Sequence, residues 1–325
     1  MKIEIAGYHP GLENKVVELW NITLGRDFPL TARLFRQNTL ENPNFRMTDG
    51  FVAEVDGKPA GFALARICRE PIGNLGIMEG GGWISAILVH PDFQHRGVGT
   101  ALYKKAEDYL AGLGVRTIMA GQDVGHFFAG IPASCLGAME FFQGKGYEIG
   151  REVFDLTRDL GDYQTPPETA RKIEKLAGRF VIKNCSDSEK GLLLDFFSRN
   201  FPGRWWYEAE NYLKRGLPPE DYLIARRAGE VVGFCRVNHQ GSKIIGPNIY
   251  WSELLGENYA GLGPIGVAGE YRGEGLGMAL LCAGLEYLHR LGARRTVIDW
   301  TGLVDFYGKV GFKIWKGYFA ASKQL

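Results

Sequence analysis

The sequence predicts a protein of mixed helices and strands that is built from two similar halves. A stretch of apolar strand, glycine-rich turn and amphipathic helix occurs twice, at residues 87–114 and 265–292. In both helices, apolar residues recur at the three- and four-residue spacing of a helix that is buried on one face. The length of 325 residues also exceeds that at which one core usually stops growing. We therefore expect two domains, at residues 1–160 and 179–325, with a linker at 161–178.

The remaining elements of the first half follow in a simple order. Residues 2–6 alternate like a strand, and residues 12–25 have helical spacing. Asp56-Gly57 is a strong hairpin signal within residues 51–67. Strands are then predicted on either side of the repeated helix, at residues 82–90 and 115–121.

The second half repeats this order. A strand at residues 179–184 precedes a helix that Ser186 or Asp187 could cap. A second hairpin turns at Ala228-Gly229, and further strands are predicted at 263–269 and 294–300. The repeated helices correspond position by position at an offset of 178 residues, which predicts the same buried stripe in both. The paired positions are Val98, Ala101, Leu102, Tyr109, Leu110 and Leu113, and Leu276, Ala279, Leu280, Tyr287, Leu288 and Leu291.

The two turns carry the chemistry of the repeat. They read QHRGVG at residues 94–99 and RGEGLG at residues 272–277, and both fit Gln/Arg-x-x-Gly-x-Gly. The first amide groups of a helix have no partners within it, and the helix dipole adds partial positive charge there. Glycine lets the backbone approach a diphosphate closely. One such turn could be an ordinary connection, but two copies in register favour an anion-binding turn.

The strand, turn and helix resemble the acyl-CoA-binding motif of the GCN5-related N-acetyltransferase (GNAT) superfamily, in both halves of the chain. The resemblance implies an α+β (α/β/α) fold of two such domains, each with a mixed, mostly antiparallel twisted sheet flanked by helices. It further implies acetyl-CoA as co-substrate, with loop amides on the pyrophosphate and a strand beside the pantetheine arm. The cofactor-binding residues that it assigns are Leu88, Val89, Gln94, Arg96, Gly97, Gly99, Ile265, Val267, Arg272, Gly273, Gly275 and Gly277.

The halves differ at the position of the family's catalytic tyrosine. Residues 303–312 match its Phe-Tyr-x-x-x-Gly-Phe signature, and Tyr307 falls on the residue that often protonates the departing thiolate. The first half has Phe142 at that position, which cannot donate a proton. It also carries 13 extra residues before the signature, including residues 125–137 with His126. This loop could supply another donor, or the first site could bind without catalysing.

The base that deprotonates the amine is not identified by the sequence. Glu79, Glu253 and Glu257 lie upstream of the turn-bearing strands, and each is more typical of a surface carboxylate. The aromatic run from Trp205 to Tyr207 could line an acceptor pocket or a domain interface, or could simply pack.

Composition limits the partners. The formal net charge of +1 gives no reason to expect nucleic acid or a membrane surface as a partner. Five scattered cysteines without CxxC, and an N-terminus without a signal-peptide core, favour a cytoplasmic protein. No metal is expected. Leu102 and Leu280 replace the last glycine of a dinucleotide-binding fingerprint, and a Gly-Lys-Ser/Thr phosphate loop is also lacking.

The leading hypothesis is an acetyl-CoA-dependent N-acetyltransferase, with the second half as active site and Tyr307 as general acid. Its acceptor would be the amine of a small molecule or peptide, attacking directly, and the protein would be a monomer or homodimer. The alternative is a CoA-binding regulatory module without turnover, most plausibly in the first half. A scaffold that binds nothing is a third hypothesis, which the two intact turns disfavour.

Overall fold

A computed structural model describes residues 2–70 and 80–325, so that Glu79 lies outside the described residues. Within this range the chain forms two compact units. The N-terminal unit contains residues 2–70, 80–153 and Lys316–Leu325, and the C-terminal unit contains Phe154–Trp315. The last strand of the chain therefore completes the first unit. The sequence-based domain boundaries at 160 and 179 remain predictions.

The N-terminal unit contains a sheet and four helices among its described residues. The strands are β1 (Ile3–Gly7), β2 (Gly50–Val55), β3 (Lys58–Arg66), β4 (Gly81–Val89), β5 (Thr117–Ala120), β6 (Ile131–Pro132) and the first half of β7 (Glu148–Asp159). The helices are α1 (Glu13–Leu24), α2 (Ala32–Asn38), α3 (Val98–Gly112) and α4 (Leu136–Gly144). β1 to β4 pair antiparallel in sequence order, and β5 lies parallel to β4.

The C-terminal unit repeats this plan. Its strands are the second half of β7, β8 (Val181–Asn184), β9 (Tyr222–Arg227), β10 (Glu230–His239), β11 (Tyr259–Val267), β12 (Arg295–Thr301) and the start of β13 (Lys313–Gln324). Its helices are α5 (Pro167–Glu174), α6 (Lys190–Asn200), α7 (Arg204–Lys214), α8 (Leu276–Arg290) and α9 (Val304–Gly308). β8 to β11 are antiparallel, β12 is parallel to β11, and β7 is antiparallel to β12.

The rest of β13 belongs to the N-terminal unit. It pairs antiparallel with β5 through Ser322 and Met119, and with β6 through Phe319 and Ile131. Mixed sheets flanked by helices confirm the predicted α+β fold class. Among the helices of residues 2–70 and 80–325, none has both the length and the apolar composition needed to cross a membrane.

The repeated helices pack as the apolar spacing predicts, except at their ends. Leu102 in α3 and Leu280 in α8 are fully buried, and each helix lies on the face of its own sheet. Leu113 and Leu291, however, are 43% and 52% exposed. Both are C-cap residues, so the helical stripe ends before reaching them. The buried stripe therefore spans about three turns of each helix and places its N-terminus beside the end of the preceding strand.

Candidate active site

The two glycine-rich turns have the same backbone conformation. Gly97 and Gly275, the N-cap residues of α3 and α8, have φ values of 87° and 92°, in the left-handed region that glycine tolerates. Two residues earlier, His95 (φ 56°) and Gly273 (φ 83°) also adopt positive φ. Because both N-cap residues are glycines, no N-cap side chain accepts a hydrogen bond from the first turn of either helix. The first amide groups of both helices therefore point out of the helix, where an anion could bind them.

The Gln94 and Arg272 side chains brace these turns. Gln94 Nε2 donates to the carbonyl of Val89 at 3.1 Å, and Arg272 Nε donates to the carbonyl of Val267 at 3.1 Å. Each side chain thus ties the turn back to the last residue of the strand before it. The sequence pattern suggested only an anion contact and missed this bracing role. Arg96 lies between these features with an exposed side chain.

In each unit, the strand before the turn separates from its parallel neighbour. β4 pairs with β5 from Gly81 to Ile84, and β11 pairs with β12 only from Tyr259 to Gly261. Both β4 and β11 then continue to the turn while that pairing stops. Since unpaired strand edges offer N–H and C=O groups to an extended ligand, each unit has a place for one beside its turn.

The N-terminal unit has a cavity of about 650 Å³ at this place. The predicted cofactor-binding residues that line it are Leu88, Val89, Gln94, Gly97 and Gly99. In the C-terminal unit, Ile265 is half-buried and Val267 is buried at the corresponding strand end. The cavity of about 490 Å³ described in that unit lies elsewhere, and its lining residues include Arg158, Arg295 and Lys313.

Tyr307 and Phe142 occupy equivalent positions. A Cβ atom built on Gly277 would lie 3.9 Å from the ring of Phe306, and one on Gly99 would lie 3.7 Å from the ring of Phe141. Tyr307 and Phe142, which directly follow Phe306 and Phe141, are therefore matched in space as well as in sequence. Tyr307 is buried, and its ring packs edge-on against Phe306.

The surroundings of Tyr307 keep its hydroxyl protonated. Burial is the main cause that raises the pKa of this phenol, and the neighbouring charges of Cys235 and Asp299 raise it further. A group held in its protonated form near neutral pH can donate a hydrogen bond or a proton. Phe142 offers neither.

Charged side chains gather where β12 leaves β11. Asp299 and Trp300 lie in this part of β12, and Trp300 has a left-handed φ of 42°. The Trp300 N–H donates to Asp155 Oδ1 at 3.1 Å. On α7, Arg204 lies 4.9 Å over the Trp300 ring and donates to Glu208 at 2.7 Å. Three carboxylates and one guanidinium therefore surround this end of the strand.

A second guanidinium lies on β10. Arg236 is 7% exposed and stacks 4.7 Å from the ring of Tyr212. Tyr212 donates to Asp221, and His239 lies 3.9 Å from the same carboxylate. The Arg236 Nε–H finds no acceptor among the described residues.

The N-terminal unit has different residues at the matching positions. Its β3 and β4 register places Leu64 where the C-terminal unit has Arg236. The β4 and β5 register places Gly121 where β12 has Asp299. A Cβ atom on Gly121 would lie 2.6 Å from the carbonyl oxygen of Phe128, so no side chain fits there. Phe128 belongs to the extra loop, which therefore excludes a side chain at this position.

Aromatic packing holds that loop in place. Phe127 and Phe128 lie 5.1 and 5.4 Å from the Trp20 ring, and His126 is 3% exposed. Beneath them, buried Arg66 forms an ion pair with Asp123 and donates to other groups of the unit. His126, which the sequence left as a possible donor, is thus buried, while Phe128 and Ile131 of the same loop line the cavity of about 650 Å³.

Two of the glutamates considered from sequence are surface carboxylates. Glu253 and Glu257 are exposed. The residues that sequence reasoning missed are Asp155, Asp299, Glu208 and Arg236. The repeat contained one signal that could have identified this site, because Asp299 in the second copy aligns with Gly121 in the first.

The chain is similar to known acetyltransferases along most of its length. The model of the "Acetyltransferase (GNAT) family" matches it twice, at residues 15–129 and 191–312. A protein of Thermobispora bispora named mycothiol acetyltransferase is 29% identical over 270 residues, which cover 79% of this chain and 77% of that protein.

Two solved structures share its fold over 99% of the chain. One is described as a GCN5-related glucosamine N-acetyltransferase region of a fungal multi-domain GH3 β-N-acetylglucosaminidase, with a TM-score of 0.87 and 27% identity. This chain spans 38% of the length of that protein. The other, a tandem GNAT protein from the clavulanic acid biosynthesis pathway, has a TM-score of 0.68 at 15% identity and is covered over 98% of its length.

Proposed function

Since this chain belongs to the acetyltransferase (GNAT) family and is an acetyl-CoA-dependent N-acetyltransferase, we propose that its C-terminal unit acetylates the primary amine of an amino sugar. One observation carries the choice of unit. Beside its turn, the C-terminal unit has Tyr307 and a group of charged side chains, whereas the N-terminal unit has Phe142, Gly121 and Leu64 at the matching positions. The fold and the turns alone do not distinguish the two units.

The cofactor-binding roles follow from the shared turn. The amides that begin α8, freed by Gly273, Gly275 and Gly277, would hold the pyrophosphate, and the open edge from Ile265 to Val267 would pair with the pantetheine arm. Acetyl-CoA supplies the acetyl group as a thioester. In the N-terminal unit, the 650 Å³ cavity beside Gly97 and Gly99 has room for the same molecule.

Groups of the C-terminal unit would act on the thioester carbonyl and on the departing thiolate. Strand N–H groups would polarise the thioester carbonyl, and oxyanion stabilisation of this kind is often the largest catalytic contribution. Tyr307, kept neutral by burial, would then protonate the departing thiolate. The amine attacks directly, so no acyl-enzyme is needed.

The acceptor class rests on the relatives and on the shape of the charged site. One relative is named as a glucosamine N-acetyltransferase region and another as a mycothiol acetyltransferase. The charged groups near Trp300 suit such a substrate, because carboxylates bind an ammonium and arginine donates to sugar oxygens. The partly buried indole of Trp300 offers an apolar face for a sugar ring.

The test is acetylation by the full chain. Purified protein is incubated with acetyl-CoA and glucosamine, and thiol release is followed together with the mass of the product. Glucose and N-acetylglucosamine are the matched controls, since both lack the free amine. We expect thiol release with glucosamine only. Acetylation of other primary amines in preference to glucosamine would refute the acceptor class, and no thiol release with any amine would refute the proposed reaction.

A second function is favoured for the N-terminal unit, namely acetyl-CoA binding without turnover. The cavity lies at the predicted turn, but Phe142, which lines it, replaces the acid, and Gly121 stands where the other unit has Asp299. Calorimetric titration of the full chain tests this directly. We expect two acetyl-CoA sites per chain, and a single site would contradict binding in both units.

A further inference from the structure

The end of β12 has a local conformation that its pairing does not explain. β12 follows β7 in regular register through Ile298, and the register then shifts before Thr301. Within this irregular segment, Trp300 is held in the left-handed region, where a bulky residue is rare. Asp155 on β7 fixes that conformation by accepting the Trp300 N–H. The segment therefore presents Asp299 and Asp155 together at the point where the parallel strands separate.

The electrostatic surroundings of Asp299 are unusual for a carboxylate. It is half-buried, and burial is the main cause that raises its pKa, to about 7. Among the charged side chains facing it, Asp155 on β7 and Glu208 on α7 raise the pKa further, and Arg204 on α7 lowers it. Tyr307 on α9 is also near, since the charge of Asp299 raises the pKa of its phenol.

A different observation points to a ligand at the same place. Arg236 is more than nine-tenths buried, yet its Nε–H has no acceptor among the described residues. Glu208 is a charged neighbour both of Arg236 and of Asp299, which brings the two side chains to the same region. Leaving a buried N–H unpaired costs free energy, so this donor is suited to an oxygen atom of a bound molecule.

We propose that Asp299 is the catalytic base of the acetyl transfer, with Asp155 as the residue that positions and tunes it and Arg236 as a donor to an oxygen of the acceptor. The inference rests on the proposed function of the C-terminal unit. The first unit agrees with it, because Gly121 and Leu64 occupy the positions of Asp299 and Arg236 there.

The proton balance is simple. The acceptor arrives as an ammonium ion, which has no lone pair to attack with. The Asp299 carboxylate takes one proton from that nitrogen, and the freed lone pair forms the N–C bond as the C–S bond breaks. Tyr307 protonates the leaving thiolate and regains its proton from the second hydrogen that the nitrogen loses as the amide forms. Asp299 releases its proton to solvent. One amide, one thiol and one proton are produced from the ammonium ion and the thioester.

The test compares three isosteric variants of the full chain with glucosamine as substrate. Asp299→Asn removes the base, Asp155→Asn removes only the neighbouring charge, and Asp162→Asn changes an exposed aspartate of the same unit as control. The amide side chain that Asp155→Asn introduces retains an oxygen for the Trp300 N–H. kcat/KM is measured from pH 5 to about 9, and acetyl-CoA binding is measured separately for each variant.

We expect Asp299→Asn to lower kcat about 10²–10⁴-fold, the range of positioned acid–base groups, with acetyl-CoA binding unchanged. The wild-type rate rises with pH through about 7, because only the ionised carboxylate accepts a proton. Asp155→Asn removes a like charge, so this rise moves to lower pH. Asp162→Asn leaves the profile unchanged.

Thermal stability supplies a readout that a structural role would not give. The folded pKa of Asp299 is raised, so the unfolded chain ionises more readily and stability is lost as pH rises from about 4 to about 7. Asp299→Asn should therefore raise Tm above wild type at pH 8, with a smaller difference at pH 4.

Three results would overturn the inference while the wild type is active. These are wild-type turnover in Asp299→Asn, a lower Tm of that variant at pH 8, and a pH profile that Asp155→Asn does not move. In the last case the profile would belong to the substrate ammonium. An inactive wild type would instead refute the proposed function, and this inference with it.

Discussion

The two units share one binding turn and differ on the side where an acceptor would enter. Gly97 and Gly275 have nearly the same φ, and Gln94 and Arg272 make the same bond to the strand. By contrast, Gly121 lies under the loop carbonyl of Phe128, where the other copy carries a carboxylate. The conformation of the turn is thus the same in both units, while Asp299 and Arg236 of one unit are replaced by Gly121 and Leu64 in the other.

The largest effect is expected when Tyr307, the proposed acid that distinguishes the two units, is replaced. Tyr307→Phe should lower turnover about 10²–10⁴-fold and leave acetyl-CoA binding intact, because the hydroxyl is needed only for proton transfer. Phe142→Tyr is the matched change in the other unit. It should add no activity, since the first unit has Gly121 and Leu64 where the other unit has Asp299 and Arg236. Steady-state kinetics and calorimetry of both variants check this, and turnover close to wild type in Tyr307→Phe would exclude the tyrosine as acid.

The next effect concerns the extra loop of the first unit, which includes residues 125–137. Phe127 is 2% exposed against Trp20, so Phe127→Ala should destabilise the protein by about 3–5 kcal/mol through the cavity that it leaves. Thermal or urea unfolding measures the loss. Glucosamine acetylation at a temperature where the variant is folded should stay at the wild-type level. Reduced turnover there would show that the first unit contributes to the reaction.

A smaller effect separates the two binding turns. Gly99→Val and Gly277→Val are matched, because a Cβ at either position meets only ordinary contacts with valine and phenylalanine. The added methyl groups should crowd the turn at a cost of about 1–3 kcal/mol, which weakens binding roughly 5–150-fold at that site alone. Calorimetry should then find one weakened site in each variant, with turnover reduced only in Gly277→Val. Equal loss of turnover in both variants would contradict a division of labour.

The smallest expected effect tests the braces. Gln94→Ala and Arg272→Ala each remove one side-chain bond to a strand carbonyl, worth about 0.5–1.5 kcal/mol. Arg272→Ala also removes a charge, so it should weaken acetyl-CoA binding more than Gln94→Ala does. A comparison at low and high salt checks this, since only the charge contribution is screened. The same affinity for both variants at low salt would indicate that bracing is their sole role.

Much of the fold could be predicted from local patterns. The hairpin at Asp56-Gly57, the repeated helices and the fold class follow from spacing and turn chemistry, and the structure agrees with them. Leu113 and Leu291 were wrong as buried positions, because periodicity does not mark where a helix ends. The roles assigned to the turn residues and to Tyr307 remain predictions.

The charged site could not be predicted because its members come from four separate elements. Asp155, Glu208, Arg236 and Asp299 share no sequence spacing, and only strand register brings them together. Their signal lay in the differences between the copies, which a search for repeated features overlooks. Likewise, nothing in the sequence around His126 indicated that this residue of the extra loop would be buried.

Completion of the first unit by residues 316–325 has a consequence for biosynthesis. Strand β5 receives its antiparallel neighbour only after residue 324 has been made, although the rest of that unit precedes residue 154. An N-terminal unit with an open strand edge therefore emerges from the ribosome long before the strand that covers this edge has been synthesised. Such edges can pair with other chains. Loss of the last ten residues should therefore promote aggregation through the uncovered edge of β5, although β5 lies far from these residues in the sequence.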